Sequence, residues 1–160
     1  MTLLTTALSL AAACALAGCV AHAPGARAPR ASRGGPDAIA IRALLERHYF
    51  RGMDALSFEL FAPAFDPDAR LAFVAEGGLV QLDLDAWRRR LDVLRTDVDH
   101  PLHHEASEKH VDEVVVVGDV ATATVRFVFP SRTYTDFLQL VRTQGEWKIL
   151  AKTFDLELEP

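Results

Sequence analysis

Cysteine is scarce in this 160-residue chain, and the two that occur, Cys14 and Cys19, both lie near the N-terminus. The remainder of the chain can hold neither an internal disulfide nor a thiolate metal site. Charge is missing from the first 26 residues, because every Asp, Glu, Lys and Arg follows Ala26. Three chemical signatures are absent too: a glycine-rich phosphate loop, a GxSxG nucleophile elbow and an HExxH pair. None of the patterns present calls for a cofactor. Nor is there an excess of basic groups, since 17 Lys and Arg stand against 22 Asp and Glu, a net charge of −5. Arg27, Arg30 and Arg33 precede Gly34, so from Gly34 onward 14 basic groups face 22 acidic ones, a balance of −8. A surface that acidic repels phosphate backbones, which argues against nucleic acid as a partner.

Apolar residues make up 50% of the chain and charged residues 24%. The first figure is too high for a disordered tail and the second too low for a coiled coil. At this length the expectation is one domain.

Met1 to Ala17 is almost wholly apolar or small. It is shorter than the roughly 20 apolar residues that span a bilayer, and its position suits a secretory signal peptide, although no Lys or Arg precedes the apolar run. Leu16-Ala17-Gly18-Cys19 resembles the lipobox of bacterial lipoproteins. That resemblance implies a signal peptide over 1–18 and lipidation of Cys19 as the first mature residue. A lipid anchor in the membrane would follow. Val20, where inner-membrane retention uses Asp, implies an outer-membrane protein facing the periplasm. An ordinary signal cut near Ala21 or Ala23 would instead leave a soluble secreted or periplasmic protein, and an apolar tail without a targeting role is the third reading. Residues 19–36 are then the lipidated Cys and a flexible linker rich in Pro, Gly, Ala, Ser and Arg. The folded domain is expected over 37–160.

Within that domain, Asp37 reads as an N-cap and Ala38 to Arg51 as a helix, with Ile41, Leu44, Leu45, His48 and Tyr49 on one stripe and Gly52 as its stop. A second helix is expected over Asp54 to Ala62, ended by Pro63 and by Asp66-Pro67-Asp68-Ala69. Leu71 to Val74 and Leu79 to Leu82 read as short strands around Gly77-Gly78. Asp83 or Asp85 caps a third helix that buries Trp87, Leu91 and Leu94 and leaves Arg88, Arg89 and Arg90 mostly outside. From Lys109 the apolar period becomes two. Strands over Val111 to Val117, Val120 to Phe129, Arg132 to Thr143 and Glu146 to Leu158 are separated by turn pairs and should form an antiparallel meander. Helices on one side of such a sheet make an α+β roll with a pocket between the layers.

This order of elements resembles the NTF2-like superfamily, the α+β cone shared with SnoaL-type cyclases and ketosteroid isomerase, a curved antiparallel β-sheet wrapped around N-terminal helices. Phe65-Asp66-Pro67-Asp68-Ala69 is similar to the turn after the second helix, with Asp66 where relatives often carry His or Tyr. Tyr134 to Leu140, Gly145-Glu146-Trp147-Lys148-Ile149 and Lys152-Thr153-Phe154 resemble the closing hairpin of the subgroup labelled putative lumazine-binding. The resemblance covers about Asp37 to Glu157.

Asp136, between Tyr134 and Leu138 in a strongly apolar strand, needs a partner because burying a lone carboxylate is costly. Lys152 is the obvious one. A two-residue Gln144-Gly145 turn sets Asp136 opposite Thr153, whereas a three-residue bulged loop sets it opposite Lys152, and a one-residue slip reverses the face. Asp136 is then a general base, an acceptor for a ligand N–H, or half of a structural ion pair. Arg126, sharing a face with Thr122 and Thr124, either holds a ligand oxygen at the pocket mouth or faces solvent. Tyr49 either offers its hydroxyl to a ligand or fills the core. His100, His103, His104 and His110, with Asp99, Glu105 and Glu108, are zinc-capable residue types in a connecting loop, but their spacing fixes no metal geometry, so no metal is expected there.

Three functions follow. The first is a tethered module that binds a small, partly apolar molecule through Tyr49, Arg126, Tyr134, Asp136 and Lys152. The second is an enzyme of SnoaL or ketosteroid-isomerase type, with Asp136 or Asp66 as base and Tyr49 or Arg126 as oxyanion partner. The third is a structural module that forms a homodimer through its sheet.

Overall fold

The computed structural model of this chain describes residues 30–103 and 105–159. The signal peptide, Cys14, Cys19 and His104 lie outside the described residues.

The first helix, α1 (Pro36–Leu44), runs without a break through a π-helical stretch, Leu45–Phe50, into α2 (Arg51–Asp54). Its N-cap is Gly35 rather than Asp37. Asp37 instead receives hydrogen bonds from Arg142 Nη1 at 2.7 Å and Trp147 Nε1 at 3.2 Å, which pins the helix start to the end of the sheet. Gly52 does not stop the helix either. A Cβ there would fall 2.5 Å from Phe61 Cβ and 2.6 Å from Phe61 Cα, so glycine is needed for α2 to meet α3 (Phe58–Phe61). The second expected helix shrinks to these four residues because Ser57, not Asp54, caps it, its Oγ accepting from the Leu60 amide. A 3₁₀ turn, Ala62–Ala64, follows.

β1 (Phe65–Ala75) starts earlier than the sequence suggests, taking in Asp66-Pro67-Asp68 at an irregularity of its pairing between Phe65 and Arg70. Glu76 and Gly77, with φ of 51° and 76°, turn it into β2 (Gly78–Asp83). Asp83 caps α4 (Leu84–Thr96) by accepting from the Ala86 amide at 2.7 Å, and Trp87 and Leu91 are that helix's buried residues. A short 3₁₀ turn, Pro101–His103, leads to β3 (Glu108–Val117), β4 (Val120–Phe129), β5 (Arg132–Thr143) and β6 (Glu146–Leu158).

The six strands form one mixed sheet in the order β2-β1-β6-β5-β4-β3. The four C-terminal strands are the expected antiparallel meander, and β1 joins it parallel to β6. Parallel pairing requires a long crossover, here the whole of β2, α4 and β3–β5, and no local signal announces it. The inner face alternates cleanly: Ala121, Ala123, Val125, Phe127 and Phe129 of β4 and Leu138 and Leu140 of β5 are buried. They close over Ile41, Leu45, Tyr49 and Phe61 from the helices, each fully buried and each contributing roughly 1.5–3 kcal/mol. The architecture is an α+β cone.

Candidate functional site

Asp136 is the deepest polar group on the inner face, only 1% exposed. It occupies that face because β5 alternates in step with Leu138 and Leu140. Lys152 reaches it by a less regular route. Gln144 and Gly145, with φ of 53° and 84°, form the two-residue turn, so Thr143 opposes Glu146 and Leu140 opposes Ile149. The register then slips, and Gln139 opposes Ala151, leaving Leu150 as the extra residue of a β-bulge. Before the bulge the odd-numbered Trp147 and Ile149 face inward; after it the even-numbered Lys152 and Phe154 do. Asp136 therefore lies opposite Phe154, not Thr153 or Lys152, and Lys152 lies opposite Leu138.

The ammonium crosses this diagonal to Asp136, with Lys152 Nζ 2.9 Å from Oδ2. Tyr49 donates its hydroxyl to the same oxygen at 2.5 Å, from the π-helical stretch 87 residues away in sequence. Desolvation, followed by the neighbouring Asp136 charge and the hydrogen bond to it, raises the Tyr49 pKa well above its ordinary value, so the phenol stays protonated. Three rings surround the Lys152 ammonium, with centroids at 5.0 Å for Phe154, 5.3 Å for Tyr49 and 5.5 Å for Trp87. Asp136 Oδ1 is left buried without a hydrogen-bond partner, and so is Trp87 Nε1. Native proteins leave few such groups, and one acceptor and one donor left over around one site call for an explanation.

Both residues line a cavity of about 600 Å³ between α4 and the sheet. Its wall includes Phe73 of β1, Phe127 and Phe129 of β4, Tyr134 of β5 and Phe154 of β6. Phe73 stacks on Phe154 at 4.7 Å and Phe129 meets Tyr134 edge-on at 6.0 Å, so the wall is aromatic on several sides. Arg90 and Leu94 face it from α4, and His100 and Leu102 from the following turn.

The candidate residues thus divide. Tyr49, Asp136 and Lys152 form one triad, and Asp136, Lys152 and Tyr134 line the cavity. Arg126 lies on the opposite face of β4, paired with Asp112 of β3 at 2.6 Å; that bond holds the Asp112 carboxyl below its usual range. The alternation that buries Val125 and Phe127 sends Arg126 outward, so it is not at the pocket mouth. Asp66 is half-buried near the start of β1, its carboxylate accepting from the Asp68 amide at 3.0 Å, away from the cavity wall. The histidine-rich loop does not gather: among the described residues no group of three His, Cys, Asp or Glu side chains is placed to hold a metal. Among the described histidines of that loop His100 lines the cavity, and Arg90, exposed as expected, borders it too. Trp87 was legible as a buried helix residue, but nothing in the helical spacing marks its indole N–H as unpartnered.

Fold and site together define a cone-shaped α+β protein with a ligand-sized hollow above a buried Tyr-Asp-Lys triad. The chain belongs to the family described as putative lumazine-binding, whose model matches residues 37–155. No curated protein matches it. Among solved structures it is similar to an NTF2-like protein of unknown function from Silicibacter pomeroyi DSS-3. The two are 21% identical with a TM-score of 0.63, over 76% of this chain and 96% of that one. An NTF2-like protein from Shewanella baltica OS155 is 18% identical with a TM-score of 0.63, over 76% and 94%. A cystatin-like-fold protein from Nostoc punctiforme PCC 73102 is 15% identical with a TM-score of 0.61, over 81% and 96%. At these identities the likeness establishes the fold alone.

Proposed function

We propose that this chain binds a small, ring-bearing, largely apolar molecule in the cone, with a ligand N–H or O–H donating to Asp136 Oδ1. The observation that carries the reading is the unpartnered carboxylate oxygen of a residue lining a hollow of about 600 Å³. That volume lies within the range of small-molecule sites, which are mostly apolar with a few placed polar groups. The name of the family, which refers to a flat heteroaromatic ligand, agrees with a wall built from six aromatic side chains: Phe73, Trp87, Phe127, Phe129, Tyr134 and Phe154.

Binding is favoured over proton transfer by the state of the carboxylate. A general base beside a carbonyl works best when no cation neutralises it, whereas Asp136 holds an ammonium at 2.9 Å and a phenol on the same oxygen. The triad orients Asp136 so that one oxygen remains free. A thermal-shift screen of the full-length chain against flat heteroaromatic and aromatic compounds tests this. Compounds with a ring N–H should raise the melting point more than their N-methyl analogues. Equal shifts for both members of every pair would remove Asp136 from the contact set.

We also propose that the domain is tethered to the cell envelope through Cys19, a reading supported by the Leu16-Ala17-Gly18-Cys19 motif alone. Membrane-fraction protein should carry an acyl mass increment that Cys19→Ser abolishes, with release into the soluble fraction. An unmodified, freely soluble wild-type product would sink it.

A further inference from the structure

We infer that the ligand of this cavity is anionic, its negative group held against α4 by Arg90. The inference rests on the binding reading above and names the class of molecule: an aromatic body carrying a carboxylate, sulfonate or comparable anion.

The reason is an imbalance among the charged groups of the wall. Lys109 is neutralised by Asp54 at 2.8 Å, Lys152 by Asp136 at 2.9 Å, and Glu105 by Arg132 at 3.2 Å. Asp155 also contributes to the wall but is exposed, and it follows the inward-facing Phe154 on β6, so strand alternation directs its side chain away from the face that Phe154 covers. That leaves Arg90, exposed at the edge of the wall, as its one Lys or Arg without an ion-pair partner among the described residues. The other charged side chains of α4 are matched in part on its outer surface, Arg88 with Asp85 and Arg95 with Asp92. Arg90 instead lies over the Phe73 ring, with Cζ 5.4 Å from the centroid. Phe73 stacks on Phe154, and Phe154 in turn lies beside the Lys152 ammonium, so one column of rings runs from Arg90 at the mouth to the triad at the floor.

A second observation agrees. Trp87 is three residues before Arg90, which places both on one face of α4, and its indole N–H is buried without an acceptor. The helix side of the cavity therefore presents two unmatched donors, one of them cationic, while the sheet side presents the unmatched acceptor Asp136 Oδ1. A guanidinium stacked on an aromatic ring is pre-organised to grip a planar oxyanion with two N–H groups. A ligand with an anion toward α4 and a donor toward β5 would match Arg90, Trp87 Nε1 and Asp136 Oδ1 together.

The test is a calorimetric titration of the full-length chain with 2-naphthoate and with its neutral isostere 2-naphthamide. Naphthoate should bind about tenfold more tightly at low salt, and added salt should erase that preference while leaving naphthamide unaffected. Arg90→Gln should reduce naphthoate affinity to that of naphthamide, and Arg89→Gln, outside the cavity wall, should change neither. Equal binding of the two probes, or a preference for naphthoate that survives Arg90→Gln, overturns the anion inference and leaves the cavity reading standing. If neither probe binds, the cavity reading itself falls.

Discussion

Lys152 and Asp136 meet on a diagonal of the β5–β6 pair: Lys152 opposes Leu138, Asp136 opposes Phe154, and the two charges still close to 2.9 Å. The bulge at Leu150 is what puts them on the same face. In an unbulged pairing of the same residues, with Ile149 still inward and Leu150 opposite Gln139, Lys152 would fall on the outer face of β6, and Asp136 would lie buried without this cation. The register slip at Leu150 thus decides whether Asp136 is compensated by Lys152.

Removing one member of this pair should cost more than removing both. Lys152→Met leaves a buried carboxylate held only by Tyr49, and a loss of about 3–5 kcal/mol is expected from urea denaturation. The double variant Asp136→Leu with Lys152→Met should recover most of that loss, because each charge is buried chiefly for the sake of the other. A double variant no more stable than the single one would show the charges to be compensated by groups outside the triad.

Tyr49 gives the protein a stability limit at high pH. Its pKa is raised in the fold above the ordinary 10.0, so below pH 10 the phenol is protonated in both folded and unfolded chains. As the pH passes 10, the unfolded chain loses this proton and the folded chain keeps it, so stability falls steadily toward the folded pKa. Tyr49→Phe should cost about 1–3 kcal/mol at neutral pH by removing a hydrogen bond to a buried carboxylate. It should also remove this part of the alkaline loss, so the gap between wild type and variant narrows above pH 10. A gap that stays constant to pH 11 would contradict the assignment.

Gly52→Ala reverses the usual helix rule. In an open helix the change gains up to about 1 kcal/mol. Here the new methyl would fall 2.5 Å from Phe61 Cβ, and the first contact along the backbone is at 2.6 Å, so the α2–α3 junction must move. A loss of about 1–3 kcal/mol is expected, read from the melting midpoint. Any gain would mean that the junction is looser than its geometry implies.

Ala106, exposed at the cavity rim, offers a way to block the hollow without disturbing the core. Ala106→Trp should abolish binding of 2-naphthamide while changing stability by no more than about 0.5 kcal/mol, as exposed substitutions usually do. Retained binding in a stable variant would place the ligand elsewhere.

Much of the fold could be read from local patterns because local physics determines it. Period-two alternation from Val111 to Leu158 puts Val125, Phe127, Leu138 and Leu140 on one face whatever the rest of the chain does. Gln144-Gly145 makes a two-residue turn because both positions adopt positive φ there, and Asp83 caps α4 because its carboxylate reaches an amide three residues on. The same locality misled at Asp37 and Gly52. Their best local roles, cap and stop, were displaced by partners at Arg142, Trp147 and Phe61 that no short window contains.

The pairing of Asp136 with Lys152 was legible as a need, since an apolar strand does not bury a carboxylate alone. How the need is met was not. The bulge at Leu150 carries no marking residue, β1 docks parallel to β6 across the crossover from Glu76 to Gly145, and Tyr49 reaches Asp136 from the far end of the chain. The hollow was expected only as a usual feature of a sheet cupping helices. Its position and its unmatched groups belong to no element, being the space left when α4, the following turn and five strands close around one another. Amino-acid order determined which face of each strand is apolar, because side-chain alternation is a property of neighbouring residues. Tertiary closure alone decided which polar atoms were left unpaired, because that depends on who arrives from elsewhere.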